Sequence, residues 1–184
     1  MDAEPTRCAW ADSTPDYRAY HDEEWGTPLH GDDALFERLC LEAFQSGLSW
    51  LTILRKRPAF RAAFAGFSID AVAGFTAEDE ARLLADAGIV RNRAKVAAAI
   101  GNARAAQRVP EGLSALLWSF APTGHRPRPA TLADVPATSP ESTAMARELK
   151  RRGFVFVGPT TAYALMQATG MVDDHVASCF RAAE

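Results

Sequence analysis

Leu35-Phe36-Glu37-Arg38-Leu39-Cys40-Leu41-Glu42-Ala43-Phe44-Gln45-Ser46-Gly47-Leu48-Ser49-Trp50-Leu51-Thr52-Ile53-Leu54 is the stretch on which the fold turns. Leu35, Leu39, Ala43 and Leu51 recur at the spacing of one helix face, and Phe36, Cys40 and Leu48 widen that stripe toward a central, buried helix. Gly47 can break the run into two helices. One residue disagrees with the pattern. Glu42 follows Leu39 by three positions and Leu35 by seven, so a carboxylate falls near the middle of an apolar face, with Gln45 and Ser46 one turn on. A buried acid is costly unless compensated. Two readings follow: an internal ion pair or partly exposed flank, or a site for a cationic or proton-donating ligand whose arrival stabilises the ionised carboxylate.

Outward from this stretch the patterns are helical. Asp32 suits an N-cap, and Pro58 suits the first turn of a short helix ending near Gly66. Thr76 with Asp79 signals a helix through Asp86. Further helices fit Arg91 to Arg108, Pro110 to Phe120, Pro140 to Arg152 with Ser139 as cap, and Pro159 to Ala168 closed by Gly170. The nearest approach to a strand, Phe154 to Val157, is short, so the expected class is all-α. The segment from Arg7 to Gly26, rich in aromatics, reads as an arm of loop and short helix that something must hold down, and residues 121–138 form a long Pro- and Thr-rich loop.

With 184 residues, 48% hydrophobic and 23% charged, the chain has the make-up of one ordinary soluble domain. It has no run long enough for a membrane span and no signal-peptide pattern at Met1-Asp2-Ala3-Glu4-Pro5, so a cytoplasmic location is expected. A net charge of -3 excludes a protein that coats nucleic acid by bulk attraction. Clusters such as Arg91, Arg93 and Lys95, or Lys150, Arg151 and Arg152, leave room for a local basic face. Cys8, Cys40 and Cys179 cannot all pair with one another, and a reducing compartment disfavours disulfides, which raises metal binding.

Cys8 with His21, and His175 with Cys179, lie at opposite ends of the chain. The second pair, four residues apart, would share a face if helical. Together they make a Cys2His2 set, the closed complement of a structural zinc ion, able to fasten the arm to the C-terminal helix. Asp173 or Asp174 could orient His175. The alternative is that the cysteines act as small buried hydrophobes and the histidines are satisfied locally. Leu83 to Lys95 reads as helix, glycine turn, helix, with Gly88 able to take the left-handed conformation that ends the first helix, and with the opening amides and Arg91, Arg93 and Lys95 offering a phosphate site. Gly153 to Thr161 delivers another helix N-terminus beside a basic run.

These features, with Arg7-Cys8-Ala9-Trp10, Tyr20 to Gly26, Leu41 to Trp50, Asp86 to Arg91, Ile100 to Arg104, Arg152 to Ala168, Asp174 and His175, resemble the DNA-3-methyladenine glycosylase I family, the bacterial Tag type of the helix-hairpin-helix glycosylases. Val90 stands where that hairpin usually has its second glycine, and Ala9 and Phe44 also depart from the pattern. The resemblance implies an all-helical glycosylase domain over 1–184, with a clasp lobe of about 1–30 and 140–184 and a helical lobe of about 31–139. It implies one structural Zn2+ on Cys8, His21, His175 and Cys179, and a base pocket with Glu42 as the acidic recognition and catalytic residue. Tyr20 and Trp50 would be its walls, lined or supported by Trp10, Tyr17 and Trp25, while Gly88, Arg91, Arg93 and Lys95 would hold the DNA backbone. The implied partner is double-stranded DNA carrying alkylated bases, and the implied enzyme is a monomer that hydrolyses the bond to N3-methyladenine and leaves an abasic site. A non-enzymatic binder of damaged DNA and a zinc hydrolase of small molecules are the rivals. An arginine neutralising Glu42, with no ring-flanked vacancy beside it, would overturn the assignment.

Overall fold

The computed structural model describes residues 4–124 and 126–181, so the two ends of the implied 1–184 domain lie outside the described residues. Among these, the regular structure is helical. Thr14 accepts from the Tyr17 amide at 3.2 Å and starts α1 (Pro15–Glu23), with Pro15 in its first turn. The central element, α2 (Asp32–Gln45), starts after Gly31 and carries Asp32 and Asp33 where the helix dipole favours acids. It ends as expected at Gly47, whose φ of 80° belongs to the left-handed region, and Ser49 then caps α3 (Trp50–Ala63) through the Thr52 amide at 3.3 Å. Pro58 therefore lies inside α3 and does not open a helix of its own, because the Ser49 cap has already set the helical register.

A short α4 (Ile69–Ala73), which the sequence reading does not anticipate, precedes α5 (Ala77–Ala85) and its Thr76/Asp79 capping box. Then come α6 (Arg93–Ala106), α7 (Leu113–Trp118), α8 (Pro140–Arg151) capped by Ser139, and α9 (Pro159–Ala168) closed by Gly170 at φ 72°. The 121–138 loop holds one 3-10 turn, Leu132–Asp134. Residues 154–157 do not form a strand: the Asn102 side chain binds both the amide and the carbonyl of Val155, at 2.9 and 3.0 Å, in place of a sheet partner.

α2 is the hub. Leu35, Phe36, Leu39 and Phe44 pack in one continuous core with Phe60, Phe64 and Phe67, with Val96 and Ala103 of α6, and with Ala162, Leu165 and Met166 of α9. Phe44 and Phe60 meet at 4.7 Å between ring centres, and Phe64 stacks on Phe67 at 5.3 Å. A satellite cluster of Cys8, Val176 and Cys179, flanked by Trp10 and Trp25, sits where the two ends of the chain meet. Leu48 is not part of the stripe: it is 41% exposed at the corner between α2 and α3. No helix of the described residues is long and apolar enough to cross a membrane.

Candidate active site

A cavity of about 650 Å³ opens between the arm, α1, α3, α9 and the 121–138 loop, lined by Trp10, Tyr17, Tyr20, Trp25 and Trp50 together with Gln167 and Asp174. That volume suits a small organic ligand. Tyr20 and Trp50 face each other at 5.5 Å between ring centres, tilted by 46°. Trp10 makes edge contacts with Tyr17 at 5.5 Å and Trp25 at 5.2 Å, so the arm builds one side of the box. Tyr17 also accepts from the Leu51 amide at 2.9 Å, using its hydroxyl to cap α3. All five aromatic residues named from the sequence therefore meet at one cavity.

Glu42 is 6% exposed, and its carboxylate makes no hydrogen bond and no ion pair with any of the described residues. It does not itself line the cavity; it stands close to Tyr20, whose phenol is raised by burial first and, against the pull of Arg38, by the Glu42 charge. Burial pushes the Glu42 carboxyl up to about 8, with Arg38 drawing it part of the way back. The internal-ion-pair reading thus fails: the arginine nearest in sequence is bound to Glu24, and a vacancy flanked by rings lies next to Tyr20.

The sequence reading gives Gln167 no role and names Asp174 only as a possible partner of His175, not as a cavity residue. Asp174 is buried and accepts from the Tyr163 hydroxyl at 2.6 Å and from the Gln167 amide at 2.9 Å. Their place beside the cavity follows from how α9 and the segment after it pack, and no spacing rule would have found it. Leu132 and Val135 of the long loop also reach the cavity, with no periodic signal to mark them.

At the junction of the chain ends, ligand atoms of Cys8, His21 and Cys179 lie within 4.8 Å of one another, a group that could hold a metal ion. His175 stands against this group, its ring centre 4.9 Å from that of His21, and its Nε2 is buried with no partner among the described residues. Each imidazole meets a carboxylate through Nδ1: His21 with Asp22 at 2.8 Å and His175 with Asp173 at 3.1 Å. This leaves Nε2 as the free ring atom of each histidine: that of His21 lies 3.4 Å from the Cys179 sulfur, and that of His175 is buried without a partner among the described residues. Burial drops His175 to about 4, so its ring is neutral, and burial pushes the Cys8 thiol up to about 11 while the Val176 amide donates to its sulfur. Gly26 makes room for this packing, since a Cβ there would come within 2.6 Å of the His175 ring. The helix expected for His175 and Cys179 is absent. Asp173 takes the His175 amide at 3.1 Å, a local bond that competes with helix formation, and turns bring the two side chains in instead. Asp173, not Asp174, is the residue that orients His175.

The chain matches the methyladenine glycosylase family over residues 10–182. It is 46% identical over 179 residues to DNA-3-methyladenine glycosylase 1 of Escherichia coli (strain K12), covering 94% of this chain and 95% of that protein. It is 42% identical to the DNA-3-methyladenine glycosylase of Haemophilus influenzae (strain ATCC 51907 / DSM 11121 / KW20 / Rd), covering 95% and 96%. Its fold superposes on the crystal structure of a 3-methyladenine DNA glycosylase I with a TM-score of 0.91 at 44% identity, over 96% of this chain and 99% of the other. The Staphylococcus aureus enzyme, solved to show its recognition of 3-methyladenine, superposes with a TM-score of 0.91 at 34% identity over 97% of both chains.

The chain belongs to the methyladenine glycosylase family.

In this glycosylase the turn between α5 and α6 differs from the expected phosphate grip. Gly88 is not in the left-handed region; it is small because a Cβ would come 3.0 Å from that of Ala59 and 2.9 Å from the Asp86 carboxylate. Lys95 is the larger correction. It is 8% exposed, and its ammonium donates to the carbonyls of Phe44 at 2.9 Å and Ser46 at 2.5 Å, closing the C-terminus of α2. A lysine committed to the end of the central helix has no ammonium to offer a phosphate. Arg91 and Arg93 remain exposed, Arg93 with a contact to Glu80 at 3.2 Å. The turn that does use a left-handed glycine joins α8 to α9. Gly153 has φ 91°, and the amides of Gly153 and Phe154 close α8 on the carbonyls of Lys150 and Leu149 at 3.0 and 2.9 Å. Val155 and Phe156 are then exposed, and α9 opens at Gly158 and Pro159 without a side-chain cap.

Proposed function

We propose that this glycosylase repairs alkylated double-stranded DNA by turning N3-methyladenine out of the duplex and hydrolysing its bond to the sugar, leaving an abasic site. The observation that carries this reading is an unpaired, buried carboxylate, Glu42, next to an aromatic cavity of about 650 Å³. Methylation at N3 makes the base cationic and weakens the glycosidic bond, so the protein needs to supply selection and stabilisation more than protonation. Rings at Tyr20 and Trp50 suit a flat cation, each contact contributing about 0.5 to 2 kcal/mol. Glu42 accepts a hydrogen bond from the base edge, a bond that counts for more in a desolvated site. In this reading Leu48, exposed on the corner that joins the Glu42 helix to the Trp50 helix, fills the gap the flipped nucleotide leaves. Arg91, Arg93 and the uncapped amides of α9 provide the backbone contacts.

The donor set at the chain ends fits one Zn2+, held by Cys8, His21, His175 and Cys179: two thiols, two imidazoles and an orphaned Nε2. With four protein ligands such an ion supplies cross-linking and leaves no position for a reactive water. The enzyme then acts as a cytoplasmic monomer. The test is chromatography of bases freed from N-methylated duplex DNA by wild type and Glu42→Gln. Release of 3-methyladenine that collapses in the variant supports the reading. Undiminished release removes Glu42 from it, and binding of alkylated duplex without any free base would mark a damage binder instead.

A further inference from the structure

Arg38 and Glu42 are four residues apart on α2, the spacing at which an arginine and a glutamate on one helix face ordinarily pair. They do not pair. Arg38 donates through Nη2 to Glu24 Oε2 at 2.6 Å and through Nη1 to the Tyr20 hydroxyl at 3.2 Å, with its guanidinium carbon 5.4 Å from the centre of the Tyr20 ring. Glu24 is gripped from α3 as well, where Arg57 donates to both of its oxygens at 2.6 Å each. Arg38 is 7% exposed, so its charge has little recourse to water and must rest on a carboxylate. Glu24, at the end of α1, is the one that takes it.

We propose that Glu24 is a sequestering counter-ion: by drawing Arg38 away from Glu42 it keeps Glu42 free to receive a cationic base, and through Arg38 it sets the Tyr20 hydroxyl. The inference rests on the reading of Glu42 given above. Neither Glu24 nor Arg38 lines the cavity, so both are positioning residues. The effect on Tyr20 follows from donor counting. Its oxygen accepts from Arg38, so its own proton is left for another acceptor, and none of the described residues supplies one. Tyr20 thereby presents both a ring face and an unspent O–H beside the cavity. Arg57 completes the device, since its two bonds hold Glu24 in the orientation that meets Arg38.

The experiment compares wild type, Glu24→Gln, Arg38→Leu, the double variant and Glu42→Gln. Binding of free 3-methyladenine is read from tryptophan fluorescence, and kcat and KM from base release on methylated duplex DNA. Glu24→Gln is expected to weaken base binding about tenfold, the loss of one charge-assisted hydrogen bond, because Arg38 turns to Glu42. Adding Arg38→Leu is expected to restore binding to within about threefold of wild type, a rescue that a merely structural role for Glu24 would not produce. Unchanged binding in Glu24→Gln, or a double variant no better than the single, overturns the inference. If Glu24→Gln does not fold, Glu24→Asp carries the same test with the same rescue. Glu42→Gln separates the two failures. Wild-type base binding by Glu42→Gln sinks the functional reading, whereas loss of binding there with none in Glu24→Gln sinks only this inference.

Discussion

The cavity and the clasp each contain buried polar atoms whose partners are missing, yet they ask for different guests. At the clasp, ligand atoms from both ends of the chain converge within 4.8 Å, and each imidazole is braced by an aspartate. A gap of that size and softness takes an ion that stays. Beside the cavity the unpaired groups are the Glu42 carboxylate and the Trp50 indole Nε1, and the adjoining space of about 650 Å³ is walled by rings. A space of that kind takes a flat ligand that comes and goes. What separates the two regions is the volume around their unpaired atoms. The two regions also share parts, since Trp10 and Trp25 flank the clasp cluster and line the cavity.

The sharpest way to break the contrast is to remove the zinc ion proposed for the clasp. Stripping metal with a chelator, or substituting Cys8→Ser, is expected to lower the melting temperature by more than ten degrees, about several kcal/mol for a site that joins both chain ends. Base binding should go with it, because Trp10 and Trp25 lose their seat. Elemental analysis should find one zinc per chain, and a metal-free preparation with an unchanged melt would refute the clasp.

Glu42→Gln should do the reverse. Base release is expected to fall roughly ten- to a hundredfold, as for loss of a hydrogen bond to a charged group, while the fold gains stability. The folded carboxyl sits at about 8 against an ordinary value of 4.5, so between those values the native state holds a proton that the unfolded chain has released. Wild-type stability therefore declines as pH rises through that window, by about a few kcal/mol at most. Thermal melts from pH 5 to pH 8 should show the variant's advantage growing with pH; a constant difference would mean that Glu42 is not held protonated.

Trp50→Ala is expected to weaken base binding about three- to thirtyfold, the worth of one desolvated cation-π wall, without loss of metal. The smallest effects belong to the surface. Arg91→Ala and Arg93→Ala should each reduce the salt dependence of DNA binding by about one phosphate contact. Lys95→Met should leave that slope alone and lower the melting temperature, since its ammonium closes α2. A changed slope in Lys95→Met would return that lysine to the DNA surface.

Elements whose signals are local were readable from the chain. Gly47 breaks the central run, Thr76 with Asp79 boxes α5, Ser139 caps α8 and Gly170 ends α9, because each acts within one turn of its own backbone. The candidate site was readable in its chemistry: Tyr20, Trp50, Trp10, Tyr17 and Trp25 do converge. Residues whose partners lie far along the chain were misread. Lys95 looked like one more cation in a basic run until Phe44 and Ser46, about fifty residues earlier, claimed its ammonium. Leu48 looked like core, and Gly88 like a left-handed turn, until packing against the corner and against Ala59 decided otherwise.

By itself, then, the sequence settled the helical class, the buried acid on α2 and the residue types that could bind metal, because periodicity, capping and side-chain chemistry are properties of the chain alone. Only the tertiary structure decided which carboxylate Arg38 would hold, which aspartate would brace His175 and where the cavity would open. Those outcomes depend on which groups are brought within about 3 Å of each other after burial has removed water as a competitor.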